Sequence, residues 1–101
     1  MTFKATLFTK ENCGPCFRVK QYVKGLAFAG NSSVHFLNTL KKENHPALVA
    51  AFDLNIYPTL VISNGPDMVR KFEGSTAVIN NLLDELHMIL LSLGKKEEDQ
   101  P

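Results

Sequence analysis

The sequence predicts a single α/β domain with the element order β-α-β-α-β-β-α, folded as a four-stranded mixed sheet with helices on both faces. Three observations predict it. Short β-branched and aromatic runs alternate with amphipathic stretches through the first half of the chain, the pattern of parallel strands joined by crossover helices. The second half instead sets two strand-like runs about Asn64-Gly65-Pro66-Asp67, a strong turn signal, and so reads as a hairpin. The chain has 101 residues, 45% of them hydrophobic, which suits one domain with a real core and leaves no room for a second.

Each element follows from its own residues. Thr2 to Thr9 alternates Phe3, Ala5 and Leu7 with Lys4, Thr6 and Phe8, and reads as the first strand. A polar loop, Lys10-Glu11-Asn12, leads to a helix opening at Gly14-Pro15, where proline costs nothing because a first-turn N–H has no partner. Val19, Tyr22, Val23 and Leu26 form its apolar stripe, and Gly30-Asn31-Ser32-Ser33 breaks it. Asn31-Ser32-Ser33 matches a glycosylation triplet but reads here as a turn.

Val34 to Leu37 is expected as the second strand, with Lys41 to Asn44 as a solvated link. His45-Pro46 opens a second helix that buries Leu48, Val49 and Phe52 and ends at Asp53-Leu54-Asn55. Thr59 to Ser63 and Met68 to Phe72 are the hairpin strands. A last helix starts at Gly74-Ser75-Thr76, with Ser75 or Thr76 as its cap, and carries Val78, Ile79, Leu82, Leu83, Leu86 and Leu90. Met88-Ile89-Leu90-Leu91 wraps around that helix, so one stripe cannot bury all of it. The domain is expected to span 1–93, and the tail 94–101, with no apolar residue, to be disordered.

Composition narrows the function. A formal net charge of +1 gives no footprint for nucleic acid. No apolar run approaches the ~20 residues of a membrane span. Met1-Thr2-Phe3-Lys4 runs straight into the strand pattern without the apolar stretch of a signal peptide, so a reducing cytoplasm is the expected location. The two cysteines are too few for a disulfide scaffold, and in that compartment a close pair is catalytic, redox-sensing or metal-binding.

Those cysteines are Cys13 and Cys16, in Cys13-Gly14-Pro15-Cys16 at the predicted helix start. Positions i and i+3 of a first turn lie close enough for a disulfide that closes and reopens without moving the fold. Only a thiolate attacks a disulfide, and a free thiol with a pKa near ~8.5 is mostly protonated at neutral pH. Backbone N–H groups and the positive end of the helix dipole would favour the anion at Cys13. Cys16, one turn in, is expected to be more buried and less acidic, so Cys13 attacks and Cys16 resolves. Lys10 and Arg18 would add positive potential and Glu11 would oppose it. By itself the pair also suits half a zinc site. Zinc needs about four ligands, and His35, His45 and His87 lie on different elements.

Cys13-Gly14-Pro15-Cys16, after a strand and opening a helix, resembles the active site of thioredoxins. Phe8-Thr9-Lys10-Glu11-Asn12 looks more like the approach to the active site in glutaredoxins. Ile56-Tyr57-Pro58-Thr59-Leu60 is similar to the segment that opens the third strand in both, with the proline cis beside the cysteines and the Tyr57 backbone free to pair with an extended peptide. Gly74 resembles the glycine lining the same groove. The resemblance covers roughly residues 3–93. It implies the thioredoxin-like fold, with Cys13 and Cys16 catalytic, Gly14, Pro15 and Pro58 supporting them, and Lys10, Tyr57, Thr59 and Gly74 meeting substrate.

Departures matter too. Thioredoxins have a tryptophan where this chain has Asn12, a buried aspartate where it has Leu7, and an extra N-terminal strand and helix. The chain is therefore most similar to small phage- or bacterial-type glutaredoxin-like and thioredoxin-like reductants. The implied activity is reduction of protein disulfides by a monomer without a bound cofactor. Electrons would come from an NADPH-dependent, thioredoxin-reductase-type flavoenzyme or from glutathione, and clients would include ribonucleotide reductase. The glutathione route lacks one mark, since Glu73-Gly74-Ser75-Thr76 has one glycine and no following acid. A binding module that kept the fold without the chemistry is the reading from another class. Retention of both cysteines and the Tyr57-Pro58-Thr59 segment argues against it.

Overall fold

The computed structural model describes residues 3–98, and side chains from 3 to 92. Strand β1 (Phe3–Thr9), helix α1 (Gly14–Phe28), β2 (Leu37–Lys41), α2 (Pro46–Ala51), β3 (Thr59–Asn64), β4 (Asp67–Glu73) and α3 (Ser75–Glu98) follow in that order. They build one four-stranded sheet with strand order β2-β1-β3-β4. β1 and β2 are parallel, as a crossover through α1 allows, whereas β3 lies antiparallel to both β1 and β4. Gly65, at φ +62°, lets the β3–β4 connection close in two residues between paired Asn64 and Asp67.

Alternation along β1 and β3 divides the core in two. Ala5, Leu7, Leu60 and Ile62 face one way and meet Val19 of α1 and Val78, Leu82, Leu86 and Ile89 of α3. The spacing of those α3 residues keeps them on one helical stripe. Phe8 and Val61 face the other way, against Leu54 and the half-buried Leu48, Val49 and Phe52 around α2. Phe8 and Phe52 meet edge-on with ring centroids 6.2 Å apart. Arg70 of β4 clamps Glu85 of α3 with Nε 3.1 and 3.2 Å from the two carboxylate oxygens and Nη2 2.8 Å from one of them. Such a forked, charge-assisted contact compensates the burial of Glu85, a residue only 7% exposed.

Four expectations are corrected. The second strand begins at Leu37, because Ser32–Phe36 forms a 3-10 turn. Asn31 Oδ1 accepts both the Ser33 N–H (3.2 Å) and the Ser33 hydroxyl (2.6 Å), which holds that turn and delays extended backbone. α3 starts at Ser75, so its capping position falls on Gly74, whose carbonyl accepts the Val78 N–H at 3.0 Å. Within Met88-Ile89-Leu90-Leu91, Ile89 takes the buried place at 5% exposed, and Leu90 is 40% exposed. The helix also carries past Gly94 to Glu98, through Lys95-Lys96-Glu97-Glu98, all good helix formers. The rest of the predicted tail, 99–101, lies outside the described residues.

Register brings distant pieces of sequence to one end of the sheet. Thr9 at the end of β1 pairs with Lys41, Phe8 pairs with Thr59, and Thr59 pairs with Glu73. The residues just beyond those pairs, Lys10–Cys13, Lys42–Asn44, Tyr57–Pro58 and Gly74, are therefore gathered around the start of α1.

Candidate active site

The dithiol is set by the turn from β1 into α1. Asn12 takes φ +54°, a left-handed conformation that asparagine tolerates far better than most residues with a side chain. Cys13 then returns to extended backbone (φ −115°, ψ 102°) as the residue capping α1. Its carbonyl accepts the Phe17 N–H at 3.1 Å, the first helical hydrogen bond. Its sulfur does what a capping oxygen usually does, with the Cys16 N–H pointing at Sγ from 3.1 Å. Pro15 sits in the first turn, where no N–H is missed. Cys13 and Cys16 are joined by a disulfide, their Cα atoms 5.2 Å apart. Cys13 is half-buried, whereas Cys16 is 1% exposed, beneath the surface of the first turn.

The Tyr57–Pro58 bond is cis, and Pro58 is fully buried. The Tyr57 carbonyl oxygen lies 3.9 Å from Cys13 Sγ, a contact in the disulfide and a place for the S–H to donate in the reduced thiol. Gly74, at φ +91°, donates its N–H to the Pro58 carbonyl at 2.8 Å and so joins the same end of the site. Thr59 does not meet solvent: its residue is 0% exposed and its hydroxyl donates to the Ile56 carbonyl. Its buried place opposite Phe8 and Glu73 gives it the task of shaping the turn above β3, not of touching substrate.

The dithiol forms one wall of a shallow cleft of ≈ 350 Å³, completed by Phe17, Lys10, Glu11, Asn12, Lys20 and Lys41. Lys10, expected to meet substrate, is thus on the rim. Lys41 Nζ lies 3.6 Å from the Glu11 carboxylate. Glu43 Oε2 accepts the Glu11 N–H at 3.3 Å, fastening the active-site loop to the residues after β2. Its own backbone N–H holds the Glu43 carboxyl below the usual carboxylate range, with the Glu11 N–H and the Lys42 and Lys41 charges acting in the same sense against a desolvation cost. Lys42 Nζ stands 5.4 Å from the centre of the Tyr57 ring. Burial pushes the Tyr57 phenol above its ordinary pKa, and the Glu43 charge adds to that. The phenol therefore stays neutral and donates to the Leu54 carbonyl at 3.4 Å.

Sequence reasoning passed over Lys20 and Glu43 and read Lys41-Lys42 as a solvated link. A signal existed for Lys20 alone: it follows Cys16 by one helical turn and so shares its face. Lys41 and Lys42 needed the sheet register. Leu7 is 1% exposed within the core shared by α1 and α3, so no carboxylate occupies that strand position.

No protein-family model matches the chain, and no curated protein matches it in sequence. Solved structures do match it in shape. Thioredoxin from Malassezia sympodialis superposes with a TM-score of 0.69 at 11% identity, covering 86% of this chain and 74% of that one. Poplar thioredoxin h gives 0.67 at 19%, covering 88% and 77%. Thioredoxin from Fasciola hepatica gives 0.63 at 20%, covering 86% and 80%. At such identities the likeness establishes the fold, and the chain has the thioredoxin-like fold that its motifs suggested.

Proposed function

From the thioredoxin-like fold and the paired cysteines, we propose that this protein is a dithiol–disulfide oxidoreductase that reduces protein disulfides. The observation that carries the reading is the asymmetry of the pair. Cys13 faces the cleft with a backbone N–H aimed at its sulfur, and Cys16 is buried one turn behind it. In the reduced protein that N–H and the start of α1 favour a thiolate at Cys13.

The Cys13 thiolate attacks one sulfur of a client disulfide. The client S–S bond breaks, the departing sulfur leaves as a thiolate and takes a proton from water, and a mixed disulfide to Cys13 forms. Cys16 then gives up its proton and attacks Cys13 Sγ. With Leu7 in place of a carboxylate, that proton passes to water. The second client sulfur departs as a thiolate and is protonated in turn. The client has gained two electrons and two protons, and the protein holds the Cys13–Cys16 disulfide seen here. The exposed Ile56 and Phe17 and the half-buried Tyr57 offer an apolar border for an extended client segment.

The reaction needs no bound cofactor. Re-reduction is assigned to an NADPH-dependent flavoenzyme of the thioredoxin-reductase type, in the cytoplasm, with ribonucleotide reductase among the clients by fold analogy. Glutathione is the second reading for the donor, favoured by Lys10 on the cleft rim. Against it, the chain turns directly into α3 after Gly74 without an acidic residue.

Insulin reduction by dithiothreitol tests the proposal. Catalytic amounts of the protein should shorten the lag before the insulin B chain precipitates, and an unchanged lag would overturn the reading. NADPH consumption with thioredoxin reductase, set beside consumption with glutathione and its reductase, identifies the donor. The first coupling is the one expected to run.

A further inference from the structure

We propose that the dithiol selects client disulfides flanked by acidic residues, through Lys10, Lys20 and Lys41. The inference rests on the reading of the pair as a disulfide reductant and adds the class of client.

The charge around the dithiol is uneven. Its cleft is lined by three lysines and one glutamate. That is a net +2, in a chain whose formal net charge is only +1. The rest of the molecule therefore sums to −1, and the excess positive charge is concentrated where a client must dock. The acid in that lining, Glu11, is already engaged by Lys41 at 3.6 Å, and Glu43, which accepts the Glu11 N–H, is matched by the adjacent Lys42. Among the described residues, neither Lys10 nor Lys20 has a carboxylate within ion-pair distance.

Three elements deliver these cations to one place. Lys20 lies on the face of α1 that carries Cys16, one turn further on. Lys41 pairs in register with Thr9, directly before the active-site loop. Lys10 begins that loop. Phe17 lines the same cleft, and a fourth cation, Lys42, stands 5.4 Å from the centre of the Tyr57 ring. A client carboxylate beside the reacting sulfur gains from these lysines. Each exposed pair contributes little, yet several cations beside one reacting atom raise encounter rates for an anionic partner and slow a cationic one. The exchange chemistry at sulfur is unchanged.

The test uses three fluorogenic peptide disulfides, identical except that the residues flanking the reactive cysteine are Glu, Gln or Lys. The expected order of kcat/KM is Glu, then Gln, then Lys, with about tenfold between the extremes at low ionic strength. At about 0.5 M salt, where charges are screened within a few ångströms, the spread should shrink to roughly twofold. Lys20→Glu should narrow or invert the order, whereas slowing all three peptides equally would mean that Lys20 acts only through structure and would overturn its assignment. Turnover of all three at one salt-independent rate would refute the selectivity and leave the reductant reading standing. Turnover of none would remove both. Glutathione disulfide also carries carboxylates and is run alongside; faster turnover than the Glu peptide would give the lysines to that tripeptide and overturn the protein-client assignment.

Discussion

Cys13→Ser is expected to abolish catalysed insulin reduction, a fall of at least about a thousandfold in kcat/KM. A hydroxyl is not ionised at neutral pH and does not displace a thiolate from a disulfide, so the first exchange has no nucleophile. The substitution leaves the fold in place, because serine is a favoured capping residue and position 13 caps α1. Losing a cross-link that spans so few residues removes little of the constraint a disulfide places on the unfolded chain. A folded, inactive variant is thus the expected result, read from circular dichroism and the insulin assay together. Retained activity would show that Cys13 is not the attacking group.

Leu82→Ala should be among the most damaging of the simple core truncations on α3, together with Leu86→Ala. Leu82 is 0% exposed, packed between the sheet and α1. Removing a buried leucine side chain costs roughly 2–5 kcal/mol, a large part of the 5–15 kcal/mol that holds a typical domain. In a chain of 101 residues the melting temperature should fall by more than about 10 °C. Leu90→Ala supplies the contrast. Leu90 has the same chemistry and lies two helical turns on, but is 40% exposed, and should cost under about 1 kcal/mol. Equal losses in urea or thermal unfolding would contradict the placement of α3.

That pair of leucines also shows where the sequence was legible and where it was not. The strand pattern of Thr59 to Ser63, the turn at Asn64-Gly65-Pro66-Asp67 and the early stripe of α3 rest on local periodicity and turn chemistry, and they appear where expected. The later stretch Met88–Leu91 does not. In Met88-Ile89-Leu90-Leu91 every residue is apolar, so periodicity cannot say which one turns inward, and tertiary packing chose Ile89. The start of β2 was misplaced for a different reason. Val34 to Leu37 reads as strand by composition, but Asn31 captures Ser33 and makes a 3-10 turn first.

At the site, the Cys13 and Cys16 pair was legible from local spacing, whereas Pro58 entered through the resemblance of Tyr57-Pro58-Thr59 to the segment that opens the third strand in thioredoxins and glutaredoxins. The role of Asn12 is visible only in its left-handed backbone. The ring of charge was hidden as well. Lys41, Lys42 and Glu43 lie about thirty residues from the dithiol in sequence and reach it only through the parallel register of β1 and β2.

The central claim, that Cys13 attacks and Cys16 resolves, is tested most directly by trapping the mixed disulfide. Cys16→Ser protein, mixed with an oxidised client peptide, should accumulate one covalent adduct through Cys13, released by dithiothreitol and located by peptide mapping. Cys13→Ser protein under the same conditions should trap almost nothing, since Cys16 is 1% exposed. Equal trapping through Cys16 would contradict the assignment.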